Sequence, residues 1–366
     1  MMPVRVGVIG TGRMAETMVA TMARAPEVQV TGVASSSGNV DRARRLAAKF
    51  GVPNPYADAA PLLARDDIDL IYIANGTSAH AATSIAALQA GKAVLCEKPF
   101  ATTLAEGRRV AEAARQSGCL FMEAIWTPFI PAYERLFELA RTHAIGAPAH
   151  LSASVGYPVS PSAHPRLFDT DGGGVLLDLA VYPITLALKL FGPIETVEAS
   201  LVRTAGGVDS HANLLLGHKS GGQSQLAASL TNLLSNTAVV AGPSGSITLE
   251  PPLLGAERIT IRRPKPAGGA ASGDLSATKL KKLLRELRSV PALRRLRRYL
   301  SDGICEQHSY GASEYGAQLQ HVLGLLRSQR RESDVIPIAF SLEVLGVIDA
   351  LRSGATKAAV SNEPPV

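Results

Sequence analysis

Three polar residues of the sequence could together move a proton to or from a substrate hydroxyl group. Lys98 stands directly before Pro99, and Asp178 and Tyr182 lie four residues apart further along the chain. A tyrosine ordinarily titrates at about pH 10, and a nearby lysine ammonium favours the phenolate and lowers that pKa. We therefore interpret Lys98, Asp178 and Tyr182 as a catalytic set in which Tyr182 is the general acid or base.

Each member of this set also has a purely structural interpretation. Lys98 could be a solvated loop charge, Asp178 a helix cap and Tyr182 a core aromatic with a solvated hydroxyl. If the surrounding block is helical, the spacing of four places Asp178 and Tyr182 on one face. Pro183 would then kink that helix or mark its first turn, and the sequence leaves both possibilities open.

The start of the chain has the pattern of a dinucleotide-binding turn. A Val- and Ile-rich run begins at Val4 and leads into Gly10-x-Gly12-x-x-Ala15, after which a helical pattern continues. Glycines allow a tight turn and a close approach of pyrophosphate to the N–H groups that open the helix. Small residues at these positions also serve ordinary close packing, which is the alternative interpretation. The expected pyrophosphate contacts are Gly10, Thr11, Gly12, Arg13 and Met14.

The order of strand-like and helical runs predicts two domains, as the 366-residue length also suggests. Strands and helices alternate over residues 1–124, which is typical of a doubly wound parallel sheet, the α/β Rossmann arrangement. Residues 125–366 contain a helical block followed by strand-like runs, which favours an α+β domain with a mainly antiparallel sheet. The last helical stretch, Ser341 to Ser353, is expected to pack back on the first domain.

Polar residues at the predicted carboxyl ends of the strands complete the expected cofactor site. No acidic residue ends the second strand, whereas serines stand there and Arg42 follows soon after. Hydroxyls and an arginine suit the 2′-phosphate of NADP, so we predict NADP, with NAD as the alternative. The competing interpretation is that Asp41 caps the following helix and the serines form a polar loop. The expected further cofactor contacts are Ser35, Ser36, Arg42, Asn75, His80, Glu97 and Lys98.

Composition excludes several other classes of protein. The three cysteines are far apart and form no C-x-x-C pair, and the histidines show no metal-ligand spacing. The first strand begins too early to follow a signal peptide, and no apolar run reaches the length of a membrane span. We expect a soluble, cytoplasmic protein with reduced thiols and no metal site. His164 lies in a polar loop that could edge a substrate pocket.

One segment, at about residues 265–305, accounts for the basic character of the chain. Between Lys279 and Arg298 there are nine Lys or Arg and one Glu, a surplus of +8 that exceeds the +6 of the whole chain. Leucines at helical spacing there predict a cationic amphipathic helix. Such a helix could contact an anionic lipid, nucleic-acid or protein surface. Alternatively, its leucines dock on the sheet of its own second domain.

In several sequence motifs, the chain resembles the Gfo/Idh/MocA oxidoreductase family. Within it, the chain is most similar to the group of dihydrodiol dehydrogenases and NADP-dependent D-xylose 1-dehydrogenases. The motifs are Gly10-x-Gly12-x-x-Ala15, Glu97-Lys98-Pro99, Met122 to Thr127, Gly172 to Tyr182, Leu234 to Ala238 and Gly242 to Gly245.

The resemblance implies hydride transfer between a nicotinamide cofactor and a hydroxyl or carbonyl of a sugar, polyol or cyclic diol. It implies that Lys98 and Tyr182 are the acid/base pair, that Asp178 lies nearby in the substrate site and that Trp126 walls the pocket. It also implies an open-faced sheet through which copies form a homodimer or larger homo-oligomer. The alternative is a regulatory or scaffold protein that binds the dinucleotide without turnover. The presence of Lys98, Asp178 and Tyr182 together favours the enzyme.

Overall fold

The computed structural model describes residues 2–264 and 303–354, and within these ranges the chain forms two sheets flanked by helices. The strands are β1 Val4–Ile9, β2 Val28–Ala34, β3 Asn54–Tyr56, β4 Leu70–Ile73, β5 Ala93–Cys96, β6 Phe121–Glu123, β7 His150–Gly156, β8 Ile194–Arg203, β9 Asp209–His218, β10 Gln223–Ser229, β11 Ala238–Gly242, β12 Gly245–Leu249, β13 Arg258–Arg262 and β14 Ile304–Gln307. The helices are α1 Arg13–Met22, α2 Val40–Phe50, α3 Ala60–Leu63, α4 His80–Gln89, α5 Leu104–Ser117, α6 Pro131–Arg141, α7 Val181–Phe191, α8 Gly316–Arg327 and α9 Ile338–Arg352. The basic run from Lys279 to Arg298 lies outside the described residues.

The first sheet is parallel, with strand order β3-β2-β1-β4-β5-β6. Its central strand β4 is completely buried, as expected of a strand covered by helices on both faces. The order reverses between β1 and β4, and ligands of such sheets bind beyond the carboxyl ends of the strands at this reversal. The predicted Rossmann arrangement is confirmed.

The second sheet has the order β14-β13-β12-β11-β7-β10-β9-β8. Its neighbours pair antiparallel except for β7 and β10, which run parallel. Helices α6 and α7 pack on one face of this sheet. Side chains of the opposite face are exposed along a cross-strand row that includes Glu198, Leu215, Gln225 and Ser152. The predicted α+β arrangement with a mainly antiparallel, open-faced sheet is confirmed.

Four strands, β3, β7, β13 and β14, were not apparent from sequence. Strand β3 has three residues with a proline in the middle, a composition that does not stand out from a loop and is tolerated here at the sheet edge. Strand β7 alternates the buried apolar residues Leu151, Ala153 and Val155 with His150, Ser152 and Ser154, so it has no continuous apolar run. Residues 304 and 305, at the end of the expected insertion, belong to edge strand β14.

Helix α9 lies against the first domain, where the C-terminal helix was expected. The Leu104 N–H donates to Asp349 Oδ2 at 3.2 Å, and the Arg352 guanidinium donates to the Thr102 carbonyl at 2.9 Å. A Cβ atom at Gly107 would lie only 2.8 Å from Leu345 Cδ2, so α5 and α9 approach closely at this glycine. The C-terminal helix therefore braces the loop that follows β5.

Candidate active site

The β1–α1 turn provides a cradle of backbone at the reversal of the sheet. Gly10 has φ +128°, and a Cβ there would lie 2.2 Å from the Ala74 carbonyl oxygen, so this position requires glycine. Gly12 is different, because a Cβ there would meet no protein atom within 4 Å among the described residues. The space beside Gly12 thus fits a group other than protein, which is the expected place of a pyrophosphate. Ala15 is completely buried.

The N-terminus of α1 faces this open space. The first hydrogen bond of the helix runs from the Glu16 N–H to the Gly12 carbonyl, so the N–H groups just before it are available to an anion. Arg13 is exposed, and Thr11 and Met14 are half-buried. All three therefore lie where the sequence placed them, at the turn and in the first turn of the helix.

The end of β2 carries hydroxyl groups, and the next acidic residue along the chain forms an ion pair. Ser35 is buried and its hydroxyl lies 3.1 Å from that of Ser37, whereas Ser36 is exposed. The carboxylate of Asp41 pairs with Arg44 at 3.1 Å. Arg42 is exposed on the same turn and belongs to no ion pair within the described residues. This cation, in the first turn of the helix that follows β2, is therefore not held by a described carboxylate.

Asn39 is the residue that caps α2. Its side-chain oxygen accepts from the N–H groups of Asp41 and Arg42 at 3.1 and 3.4 Å. The alternative in which Asp41 serves as the cap is therefore wrong. Asn39 comes one residue before the helix begins, the position at which an amide side chain can reach the free N–H groups.

Two unpartnered buried atoms line the turn that follows β4. Asn75 Nδ2 donates to Thr83 Oγ1 at 2.8 Å, and its Oδ1 has no partner among the described residues. His80 Nδ1 lies 2.7 Å from the Pro99 carbonyl, and its Nε2 is likewise unpartnered. Burial lowers the pKa of His80 to about 4, so the ring is neutral at pH 7. Buried polar atoms without partners are uncommon in proteins, and a bound ligand would satisfy them.

At the end of β5, Glu97 is a buried carboxyl that is held by a tyrosine from the neighbouring strand. The Tyr72 hydroxyl donates to Glu97 Oε1 at 2.6 Å. Burial raises the pKa of Glu97, although the bond from Tyr72 and the charge of Lys98 act in the opposite direction. Tyr72 was not among the expected site residues, since its place in a buried apolar strand gives no sign of the hydroxyl's partner.

The next residue, Lys98, meets Asp178 and Tyr182 in the structure. Its ammonium donates to the Asp178 carbonyl at 2.6 Å and to Asp178 Oδ1 at 3.0 Å, and it lies 5.0 Å from the ring centroid of Tyr182. Burial by itself lowers the pKa of Lys98, but the carboxylate of Asp178 outweighs this effect and the pKa is raised. The ammonium is therefore charged at neutral pH.

Asp178 and Tyr182 come from one helical segment. Leu176–Ala180 forms a single π turn that runs directly into α7, so both residues face Lys98. Pro183 is the third residue of α7 and follows the π turn, so it lies inside one continuous helical segment and does not mark the first turn of that segment.

The pKa of Tyr182 is raised, contrary to the lowering that Lys98 alone would produce. Burial is the largest cause, and the carboxylates of Glu97 and Asp178 add to it. Lys98 and a hydrogen bond from Trp126 act in the opposite direction without outweighing burial. The expectation that the neighbouring lysine lowers the pKa of Tyr182 below its ordinary value is therefore wrong, because burial opposes ionisation and outweighs the lysine.

Trp126 lies against Tyr182. Its indole N–H donates to the Tyr182 hydroxyl at 3.0 Å, and the rings meet edge to face with centroids 6.1 Å apart. Tyr315, at the start of α8, packs on the other part of the indole at 4.9 Å. Tyr315 was missed from sequence because it lies far along the chain and in no recognised motif.

His164 is the expected site residue that the structure leaves apart from the others. It is exposed in the loop before a short 3₁₀ turn, Pro165–Phe168. The same loop returns at Gly172, where a Cβ would lie 3.2 Å from the backbone nitrogen of Ser78. The loop therefore borders the turn after β4, although His164 does not touch the Lys98 group.

Glu123, at the end of β6, is a second buried carboxyl near this group that sequence reasoning did not single out. Its Oε1 accepts from the Phe100 N–H at 3.1 Å, and its Oε2 has no partner in the described part of the chain. Burial raises the pKa of Glu123 to about 7.

In residues 2–264 and 303–354, there is no group of three or more His, Cys, Asp or Glu that could hold a metal ion. The helices of these ranges are also too short or too polar to span a bilayer.

Comparison with known proteins gives matches to both parts of the chain. A family model described as an oxidoreductase family with an NAD-binding Rossmann fold, Gfo/Idh/MocA, matches residues 4–125, and the model of the Gfo/Idh/MocA C-terminal domain matches residues 133–248. The chain is similar to pig (Sus scrofa) trans-1,2-dihydrobenzene-1,2-diol dehydrogenase, with 32% identity over 67% of this chain and 73% of the relative. The rabbit (Oryctolagus cuniculus) enzyme of the same name is 28% identical over 94% of this chain and 96% of its own.

A solved structure resembles the whole chain. It is a 3-ketoreductase from Actinomadura kijaniata in complex with NADP and TDP-benzene, 25% identical, with a TM-score of 0.77. The match covers 96% of this chain and 98% of the ketoreductase.

Proposed function

The chain belongs to the Gfo/Idh/MocA oxidoreductase family, and from this premise we propose that it uses NADP to interconvert a CH–OH group and a carbonyl of a sugar, polyol or cyclic diol. The observation that carries the proposal is the buried Tyr182 hydroxyl, held beside the Lys98–Asp178 pair at the carboxyl end of the parallel sheet. The similar dihydrodiol dehydrogenases and the 3-ketoreductase act on this kind of functional group.

The residues of the β1–α1 turn fit a dinucleotide. The pyrophosphate would lie against Gly12 and the N-terminus of α1, where a side chain is missing and N–H groups are available. Asn75 Oδ1 and His80 Nε2 would gain the partners that they lack within the described chain. When bound, NADP supplies the hydride acceptor or, when reduced, the hydride donor.

Tyr182 would move the proton at its hydroxyl oxygen. In carbonyl reduction, the Tyr182 O–H bond breaks and its proton goes to the substrate oxygen as hydride reaches the carbonyl carbon. In alcohol oxidation, the phenolate takes the hydroxyl proton as hydride leaves the carbon. The ammonium of Lys98 stabilises the phenolate that exists on one side of each step, and Asp178 fixes where that ammonium lies. Because burial raises the pKa of Tyr182, its resting state is the proton donor, which suits carbonyl reduction.

NADP is favoured over NAD by a cation in the first turn of α2, the helix that follows β2. Arg42 is exposed and unpaired in the described chain, whereas Arg44 on the same helix is bound to Asp41. Arg42→Ala should weaken NADPH binding about tenfold or more, the scale of a lost charge-assisted hydrogen bond, and leave NADH binding unchanged. Arg44→Ala is the matched control and should change neither. The measurement is fluorescence titration, and wild-type protein that binds NADH as tightly as NADPH would contradict the preference.

The activity is tested with the purified full chain. Aldoses, inositols and dihydrodiols are supplied with NADP⁺, and the corresponding carbonyl compounds with NADPH, while the absorbance of the reduced nicotinamide is followed. Turnover of a member of these classes supports the proposal. NADPH binding without turnover of any of them would instead favour a binding or regulatory protein.

We also propose a homodimer or larger homo-oligomer that pairs through the open face of the second sheet. Leu215 is half exposed on that face, on strand β9 next to the edge strand β8, with Glu198 and Gln225 beside it on the neighbouring strands. Leu215→Lys should reduce the mass measured by light scattering, and an unchanged mass would exclude this face.

Cys96, Cys119 and Cys305 are free thiols, which supports our proposal of a reducing, cytoplasmic location.

A further inference from the structure

The bond between Trp126 and Tyr182 has a defined direction. An indole N–H can only donate, so the Tyr182 oxygen is the acceptor at 3.0 Å. The hydroxyl must therefore turn its own hydrogen towards some other group. Among the described residues, no acceptor for that hydrogen is present, which leaves it for a ligand in the site.

The indole itself contacts two aromatic side chains. It is almost completely buried, its edge meets the Tyr182 ring, and Tyr315 packs against it at 4.9 Å. A 3₁₀ turn, Thr127–Phe129, follows directly and anchors the backbone next to α6. The donor has little freedom to swing away from the hydroxyl.

We propose that Trp126 is a positioning residue, whose indole N–H orients the Tyr182 hydroxyl towards the substrate oxygen and stabilises the phenolate. This inference rests on the proposed acid/base role of Tyr182. It differs from the pocket-wall role that the family resemblance implies, because it requires the N–H group and not only the aromatic surface.

Several titratable groups face Tyr182, and the effect of Trp126 must be distinguished from theirs. They are Lys98 and Glu97 after β5, Asp178 in the π turn, Tyr133 on α6 and Tyr315 on α8. Lys98 and Trp126 favour the phenolate, and the two carboxylates oppose it. Removing the indole N–H takes away one of the two favourable contacts and changes no charge, since Trp126 is neutral.

Trp126→Phe tests the proposal, because phenylalanine keeps an aromatic ring and lacks the N–H. In alcohol oxidation, we expect kcat at pH 7 to fall about tenfold and the rising limb of the pH–rate profile to move up by about one pH unit, the scale of one hydrogen bond to a charged group. KM and NADPH affinity should stay near their wild-type values. Tyr133→Phe is the matched control, since it also removes one buried hydrogen bond, from the Tyr133 hydroxyl to the Leu253 carbonyl. Tyr133 faces Tyr182 but is uncharged in the assay range, because burial raises its pKa, so this change should leave the profile unchanged.

A second measurement does not depend on turnover or on a folded tryptophan variant. Trp126 is the only tryptophan of the chain, so ¹⁵N-tryptophan labelling gives one indole N–H resonance. We expect this resonance to move upfield and exchange faster in Tyr182→Phe, and to stay in place in Tyr133→Phe.

An indole resonance that is the same in Tyr182→Phe and wild type would overturn the inference. So would a Trp126→Phe enzyme with a raised KM and an unchanged pH profile, since Trp126 would then only wall the pocket. Wild-type protein without any turnover would instead refute the proposed function.

Discussion

The Lys98 ammonium lies over the face of the Tyr182 ring, 5.0 Å from the ring centroid, and donates its hydrogen bonds to Asp178. The ammonium is therefore an electrostatic neighbour of the phenol, and its charge is partly balanced by the carboxylate that holds it. Burial is the largest cause of the raised pKa of Tyr182, and the nearby carboxylates of Glu97 and Asp178 add to it, so the lysine does not outweigh them.

Substituting Lys98 and substituting Asp178 should shift the pH–rate profile in opposite directions. Lys98→Met leaves the Asp178 carboxylate unbalanced, so the pKa of Tyr182 should rise and the profile should move to higher pH. Asp178→Asn removes a charge that opposes the phenolate, so the profile should move to lower pH. Steady-state kinetics over a range of pH measures both, and shifts of the same sign would contradict the electrostatic account.

Tyr182→Phe should lower kcat by roughly 10²–10⁴-fold, the usual loss when a general acid or base is removed. The ring and its contact with Trp126 remain, so NADPH affinity should be nearly unchanged. Single-turnover kinetics with a fluorescence titration separates the two effects. Wild-type turnover in this variant would show that Tyr182 is only a core aromatic.

Valine at the two glycines of the β1–α1 turn should have different consequences. Gly12→Val adds a side chain where no described protein atom lies within 4 Å, so the protein should keep its thermal stability and lose binding of both NADPH and NADH. Gly10→Val forces a Cβ to within 2.2 Å of the Ala74 carbonyl oxygen and should lower the unfolding temperature itself. Calorimetry and titration distinguish them, and tight NADPH binding by Gly12→Val would place the pyrophosphate elsewhere.

The buried His80 should make the protein less stable in acid. Its folded pKa of about 4 lies below its ordinary 6.5, so the stability that the neutral ring contributes is present above pH 6.5 and is lost as the pH falls towards 4. The loss should be on the order of 3 kcal/mol at most. His80→Gln should flatten the pH dependence of the unfolding free energy in this window, as denaturant titrations at pH 7 and pH 5 would measure.

Glu123 should make the protein less stable as the pH rises, the opposite of the effect of His80. Its pKa is raised from 4.5 to about 7, so stability is present below pH 4.5 and is lost as the pH rises through 7. Glu123→Gln keeps an oxygen for the Phe100 N–H and cannot ionise. Its unfolding free energy relative to wild type should therefore increase between pH 5 and pH 8. A difference that is constant with pH would show that Glu123 stays ionised or stays neutral throughout.

Residues 265–302 should be dispensable for activity. They connect β13 and β14, which pair side by side with Ile261 opposite Ile304, so a short Gly/Ser linker from Pro264 to Gly303 can close the hairpin. The closure entropy depends only weakly on loop length. A deletion that continues to Ser309 would also remove Glu306, which pairs with Arg135 at 2.8 Å, and should be less stable.

Comparing the full chain with the Pro264–Gly303 linker variant tests whether the basic run, Lys279 to Arg298, contacts an anionic surface. Only the full chain should then bind anionic vesicles or DNA, and it should do so less at higher salt. An inactive Pro264–Gly303 variant would show that the deleted residues complete the fold or the site.

The sequence by itself determined the fold and the region of the site. A glycine turn after an apolar strand, the alternation of strands and helices, and the later change to hairpins depend on local patterns, which are visible along the chain. The carboxyl ends of parallel strands also lie at one edge of the sheet, so the sequence predicts that Gly10, Ser35, Asn75 and Lys98 lie close together.

Tertiary structure alone decided the electrostatic state of that site. Whether Tyr182 ionises depends on burial, on the carboxylates of Glu97 and Asp178, and on the N–H of Trp126, and these come from separate elements of the fold. The aromatic packing of Tyr315 on Trp126 and the Tyr72–Glu97 hydrogen bond likewise join residues that no motif connects. Charge and desolvation act through space over a few ångströms, so their balance is set by the packed structure and cannot be read from spacing along the chain.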